Sequence, residues 1–281
     1  MSAEGVVPAT GTRTRPAGTA YLRLLVAGFR RQSAYLAAAW GGLVANVTFG
    51  FLKAAILVAL VRASGGSVAG YDEGRMLAFV WIGQGLLGLV NMYGRDVIGD
   101  RIRTGDIVVD FLRPLNLQLA GLATFLGERL FTLIPRGIPT FLIGLLTTGM
   151  ALSREPLSYL LGAVAVVLGM SISYLLVYAL NISALWLVEV RGLQVLYMGI
   201  AGLLSGLYVP IAIFPAWLHA VALATPFPSV LMTPIDVLSG RVVGLDALAL
   251  VGVQVVWVLV VGAVGALLTH AGRRHLEVQG G

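Results

Sequence analysis

The chain has 281 residues, 58% of them hydrophobic and 11% charged, with a mean hydropathy of +0.91, whereas an ordinary soluble domain carries about 25% charged residues. This composition excludes a soluble globular domain and a disordered chain, and the 36 glycines follow no triplet period that would make a fibre. The formal charge of +6 is dispersed over loop ends, which excludes the continuous basic stripe of a nucleic-acid binder.

A length near 280 accommodates about six spans of ~20 residues with short loops. The expected fold class is an all-α membrane protein with six transmembrane helices, an N-terminal interfacial amphipathic helix and a re-entrant external hairpin between spans five and six. Residues 1–18 are polar and rich in Gly, Thr, Pro and Arg, with no apolar core of a signal peptide. They read as a disordered cytoplasmic tail, and the first span should stay attached. One membrane domain covers 19–274, and 275–281 form a second cytoplasmic tail.

Within 21–31, Leu22, Leu25, Val26 and Phe29 share one helical face while Arg23, Arg30 and Arg31 lie elsewhere, the pattern of a helix lying in the interface. Apolar runs then mark spans at about 35–61, 76–93, 131–152, 157–188, 193–209 and 247–269. Glu128 with Arg129, and Glu189 with Arg191, read as the cytoplasmic ends of helices. Sorting the basic residues by these spans puts fourteen of nineteen on one side. Cytoplasmic loops retain positive charge, so both termini are expected inside.

Between spans two and three lies a charged, amphipathic segment, 95–114. Ile98 and Ile102 fall one turn apart, and Ile107, Val108, Phe111 and Leu112 form a second apolar face after Gly105. Asp106 is placed to cap a short helix that Pro114 ends. The segment is either a solvated loop on the headgroups or a docking helix for a cytoplasmic partner.

Between spans five and six, five of the eleven prolines fall within 210–234. Pro215 can open a helix and Pro226 close it after about ten residues, roughly 15 Å or half a bilayer. That suits a re-entrant hairpin over 210–238 beside a pathway. Phe214, Trp217, His219 and Phe227 would line it, unless they form an aromatic belt at the headgroups.

Polar residues also fall inside spans. Lys53 is costly there; it either snorkels toward the nearer helix end or lines a cavity. Ser171, Tyr174, Tyr178 and Asn181 make a stripe that either bonds a neighbouring helix or wets a conduit.

Several chemistries lack their residues. Cysteine is absent, and the histidines, His219, His270 and His275, are too dispersed for a metal site. The only lysine is Lys53, so no phosphate-cradling loop ends in Lys-Ser/Thr. A serine–histidine pair would need residues from opposite faces. Asp96, Asp100, Asp106 and Asp110 interleave with arginines and suit a docking surface better than a magnesium site, which nevertheless stays open.

The run Ile102-Arg-Thr-Gly105-Asp-Ile-Val-Val-Asp-Phe-Leu-Arg113-Pro114, with the basic interfacial helix and six spans around it, resembles the membrane subunits of type-2 ATP-binding-cassette exporters. The resemblance implies a non-catalytic permease in the plasma (inner) membrane that binds no cofactor or metal itself, with ATP and magnesium held by a partner ATPase. Coupling to that ATPase would run through Arg103, Gly105, Asp106, Ile107, Asp110, Phe111, Leu112 and Arg113. A second permease, the same chain or a related one, would complete a conduit in the lipid, with Lys53, Tyr174, Tyr178, Asn181, Phe214, Trp217, His219 and Phe227 as conduit or external gate. The alternatives are a gradient-driven transporter, which would need a membrane-embedded acid, and a membrane enzyme acting on lipid-linked substrates.

Overall fold

The computed structural model describes residues 17–187 and 189–279. The tail expected at 1–18 lies outside these residues except for its last two, which already belong to the first helix. Among the described residues the regular structure is helical, apart from one isolated bridge between Val68 and Tyr71.

Thirteen α-helices follow in chain order: α1 (Ala17–Ser33), α2 (Leu36–Ala63), α3 (Glu73–Leu87), α4 (Val97–Thr104), α5 (Ile107–Phe111), α6 (Leu117–Thr132), α7 (Ile138–Thr148), α8 (Pro156–Ile182), α9 (Arg191–Leu204), α10 (Ala216–Leu223), α11 (Phe227–Val230), α12 (Met232–Leu238) and α13 (Gly244–Gln279). A wide π turn, Leu133–Gly137, joins α6 to α7. It contains Pro135, whose missing N–H cannot enter an α-helical ladder.

Four helical stretches are long and apolar enough to cross a membrane: Leu36–Ala63, Leu117–Thr148, Pro156–Leu185 and Gly244–Arg274. Six continuous spans were expected. The helices at the other two positions, α3 with 15 residues and α9 with 14, rise only about 22 and 21 Å against a hydrocarbon core of ~30 Å. The third span also differs, since its helix begins at Leu117 rather than near 131. Glu128 and Arg129 therefore lie inside a long helix instead of marking its cytoplasmic end, and Arg136 lies further along it. The C-terminal tail expected at 275–281 is helical through 279, as the end of α13.

The centre of the bundle is α3, whose Met76, Ala78, Phe79, Val80 and Trp81 are fully buried. Trp81 fits because glycines face it. A Cβ on Gly50 of α2 would lie 2.7 Å from its ring, and one on Gly144 of α7 would crowd Cγ and Cδ2 of the same side chain. Phe51 meets the same indole edge-on at 4.9 Å. Around α3, the long helix α8 packs on α13, α12 and α6, and polar side chains pin these contacts. Gln254 of α13 donates to the carbonyls of Ala165 (3.0 Å) and Ser229 (2.8 Å). Gln118 of α6 donates to that of Gly262 (3.0 Å). In an apolar medium such bonds supply the specificity that hydrophobic burial cannot.

Helix α1 does more than lie on a surface. It runs alongside α6 in the same direction, with Gly28 against Thr124 and Gly127 against Leu25 at backbone contact. Phe29 stacks edge-on with Phe131 at 5.3 Å, and Arg31 pairs with Glu128. Its predicted apolar face is thus divided, with Leu25 and Phe29 toward α6 and Leu22 and Val26 exposed.

Candidate functional site

The segment 95–114 folds as two short helices in a bent arm. Asp96, in extended conformation, caps α4 by accepting from the Ile98 N–H at 2.9 Å, and burial pushes its carboxyl above the ordinary range. Gly105 ends α4 in the left-handed region (φ 83°), a conformation open to glycine without steric cost. Asp106 does not cap α5 as expected. It is helical (φ −64°) and makes no capping bond, and its carboxylate accepts instead from the Thr104 hydroxyl at 2.8 Å.

Electrostatics hold the arm in this shape. Asp110 is buried and paired with Arg101, with Arg113 at 3.3 Å on its other oxygen, and Arg103 meets Asp100 at 3.2 Å. The four aspartates are thus engaged separately, and among the described residues no three acids or histidines converge on a metal position. Ile107 turns inward, and Phe111 lies half-buried with the Arg273 guanidinium 6.0 Å from its ring centre. Val108, Val109 and Leu112 face outward, Leu112 with 79% of its surface exposed. The eight predicted coupling residues therefore divide into an internal brace and an outward rim, with Val108 and Val109 added to the rim.

The region 210–238 is a chain of short helices. A single 3-10 turn, Ile211–Ile213, leads to α10, which begins after Pro215 and ends at Leu223, before Pro226. The prolines stop these helices where sequence placed the breaks. From Pro228 to Val237 the segment is buried against α8, where Gly169 is the contact: a Cβ there would stand 2.6 Å from the Val230 carbonyl. The four predicted lining residues do not converge. Phe214 packs on the main core, Phe227 contacts Tyr197 at 6.0 Å, His219 is half-buried and Trp217 is 69% exposed.

Sequence reasoning missed the clasp that closes this region. Arg241 donates to both Asp236 oxygens at 2.7 and 3.0 Å, Tyr71 donates to one of them at 3.3 Å, and the guanidinium lies 5.0 Å from the Tyr71 ring centre. Burial pushes the Asp236 carboxyl up, while the carboxylate beside Arg241 holds the guanidinium proton more firmly. The five-residue spacing of Asp236 and Arg241 was the available signal, but Tyr71 lies 165 residues from Asp236 in the chain.

Inside the spans, Lys53 does not snorkel. Its Nζ donates inward to the Leu207 carbonyl at 2.6 Å and lies 5.2 Å from the Phe79 ring centre. The α8 stripe is satisfied within the chain. Ser171 bonds the Val167 carbonyl, Tyr178 the Thr269 hydroxyl (2.7 Å) and Asn181 the Gly94 carbonyl (2.8 Å), while Tyr174 stacks between Phe125 and Tyr178. Of these bonds, the one between Tyr178 and Thr269 holds α8 to α13.

No curated protein matches the chain in sequence. One family profile does, described as ABC-2 family transporter protein, over residues 49–280. That range takes in the bent arm, all four long apolar helices except the start of α2, and the proline-broken segment. With four helices long and apolar enough to cross a membrane, the chain belongs to the ABC-2 family of transporter proteins.

Proposed function

We propose that this chain is the permease subunit of an ATP-binding-cassette exporter, moved by a separate cytoplasmic ATPase that holds ATP and magnesium, and completed by a second permease. The observation that carries this reading is the bent arm. Its Arg101–Asp110–Arg113 brace is internal, whereas Val108, Val109 and Leu112 are turned out between Arg103 and Arg113. Apolar side chains exposed on a braced helix pair, rimmed by charge, suit the groove of a partner. The arm also abuts the end of α8, so a push on it reaches the centre of the bundle.

In this reading both termini and the arm are cytoplasmic, and six passes are completed by α3 and α9 together with the non-helical chain that extends them. The short helices of 210–238 form the external closure. The outward face of α9 is apolar at Val195 and Leu196, and Gly192 and Gly199, two turns apart, have no atom within 4 Å of a Cβ position. That smooth strip favours close approach of a second permease. A gradient-driven transporter would need an available acid in a span, and the acid at the middle of the α6–α7 span, Glu128, is tied to Arg31.

The test is co-purification in mild detergent from native cells, with wild-type chain and Leu112→Asp compared. Wild type should recover a soluble ATPase, and the variant should lose it while still inserting into the membrane. Equal recovery with both chains would remove the arm from the contact, and failure of wild type to recover any ATPase would overturn the reading.

A further inference from the structure

Two arginines of the α6–α7 span have no place in the coupling scheme. Both lie inside Leu117–Thr148, a stretch long and apolar enough to cross a membrane; at the centre of such a helix a guanidinium costs about 2.5–3.5 kcal/mol on insertion scales. Neither is ion-paired among the described residues; the adjacent Glu128 is taken by Arg31. Arg129 donates to the Gly88 carbonyl at the end of α3 (3.2 Å), and its guanidinium lies 4.7 Å from the Phe125 ring centre. Arg136 donates to the Asn46 side-chain oxygen at 2.8 Å. The Nε atoms of both are buried and without a hydrogen-bond partner.

The surroundings are shaped to admit these groups. Gly42 and Gly88 leave room for Arg136, since a Cβ would stand 2.8 Å from its Nη1 at the first and 3.2 Å from its Cδ at the second. Both arginines line one cavity of about 300 Å³, together with Asn91, Tyr93 and Tyr208. Arg129 also borders a second cavity of about 430 Å³, where it is the sole charged residue among apolar side chains including Leu133, Phe141 and Met170. That cavity meets the outer face of the bundle at Ile138, Tyr159 and Val167, all substantially exposed.

A pair of guanidinia without an ion-pair partner among the described residues, at the junction of a mixed polar and apolar cavity and a laterally open apolar one, has the form of a site for a molecule with an anionic head and a hydrocarbon tail. Guanidinium forks bind phosphate through parallel charge-assisted bonds. An acyl chain entering from the lipid would fill the apolar cavity. We propose that this chain binds an anionic, phosphate-headed acyl lipid, with the head between Arg129 and Arg136 and a tail in the cavity between α3, α6–α7 and α8. This inference is independent of what drives transport.

The test uses the full-length chain purified in detergent and stripped of lipid, titrated with phosphatidylglycerol, phosphatidylcholine or inorganic phosphate, and read by native mass spectrometry and thermal shift. Phosphatidylglycerol should bind at least ten-fold more tightly than phosphatidylcholine, and millimolar phosphate should not reproduce its stabilisation. Arg129→Gln with Arg136→Gln should abolish that preference. Ala163→Trp, at an exposed position lining the apolar cavity, keeps the arginines and should weaken lipid binding by a similar factor. Equal binding of the two lipids, stabilisation by phosphate alone, or unchanged lipid binding in Ala163→Trp would each overturn the proposal.

Discussion

Replacing Arg241 with methionine deletes both donors to Asp236 while keeping an aliphatic stem against the Tyr71 ring. Asp236 is 8% exposed, so its carboxylate is left almost dry with only the Tyr71 hydroxyl at 3.3 Å. Breaking a buried pair from one side costs about 3–5 kcal/mol. Proton uptake sets a ceiling, because neutralising a carboxyl of ordinary pKa about 3.9 costs about 4 kcal/mol at pH 7. The expected loss at neutral pH is therefore ~3–4 kcal/mol.

Its pH dependence has a defined sign. Burial already raises the Asp236 carboxyl, and without Arg241 the folded chain holds a proton that the unfolded chain releases. Stability is then retained in acid and lost as pH rises through the folded pKa, so the deficit shrinks by about 1.4 kcal/mol per pH unit on acidification, to ~0–1 kcal/mol at pH 5. Adding Asp236→Asn should recover most of the loss at pH 7. Unfolding in mixed dodecylmaltoside and dodecyl sulfate micelles at both pH values, followed by tryptophan fluorescence, measures all three chains. A deficit that does not change with pH, or a double variant as unstable as the single one, would refute the charge-pairing argument and leave packing as the cause.

Three further outcomes follow from contacts described above. Gly169→Val drives side-chain carbons into the Val230 carbonyl, which backbone cannot yield cheaply; a loss of ~1–3 kcal/mol is expected, with protease sensitivity appearing between 210 and 240. Gln254→Leu removes the donor to Ala165 and Ser229 and should cost about 1–2 kcal/mol in the same micelle assay, because the chain loses two bonds but also an unpartnered side-chain oxygen. Gly105→Ala meets no atom within 4 Å but must adopt φ 83°, so it should strain the arm by ~1–2 kcal/mol, seen as faster amide exchange over 97–111 with the bundle unchanged.

What could be read in the sequence was the local physics. Apolar runs located α2, α8 and α13, and prolines and Gly105 located the breaks around α10 and α4. Local pattern did not distinguish Asp96 from Asp106 as a cap, since both precede helical residues; only the conformation after Gly105 leaves Asp106 helical and occupied by Thr104. Arg129 and Arg136 interrupt an apolar run, which places the start of the span near 131 instead of 117. The glycines that house Arg136 lie at 42 and 88, and Tyr71 and Asp236 are 165 residues apart, so neither cluster leaves a local signature. The aromatic residues of 210–227 were legible as apolar, but their separate destinations depend on α8 and α9.

The pairing of α1 with α6 carries a consequence for synthesis. Arg31 and Glu128 are 97 residues apart, and chains elongate at about 5–20 residues per second. For roughly 5–20 s after its release from the ribosome, α1 has no α6 to rest on, and its basic amphipathic surface must be sheltered by lipid headgroups. The early residence of α1 on the membrane surface thus holds it where α6 will emerge.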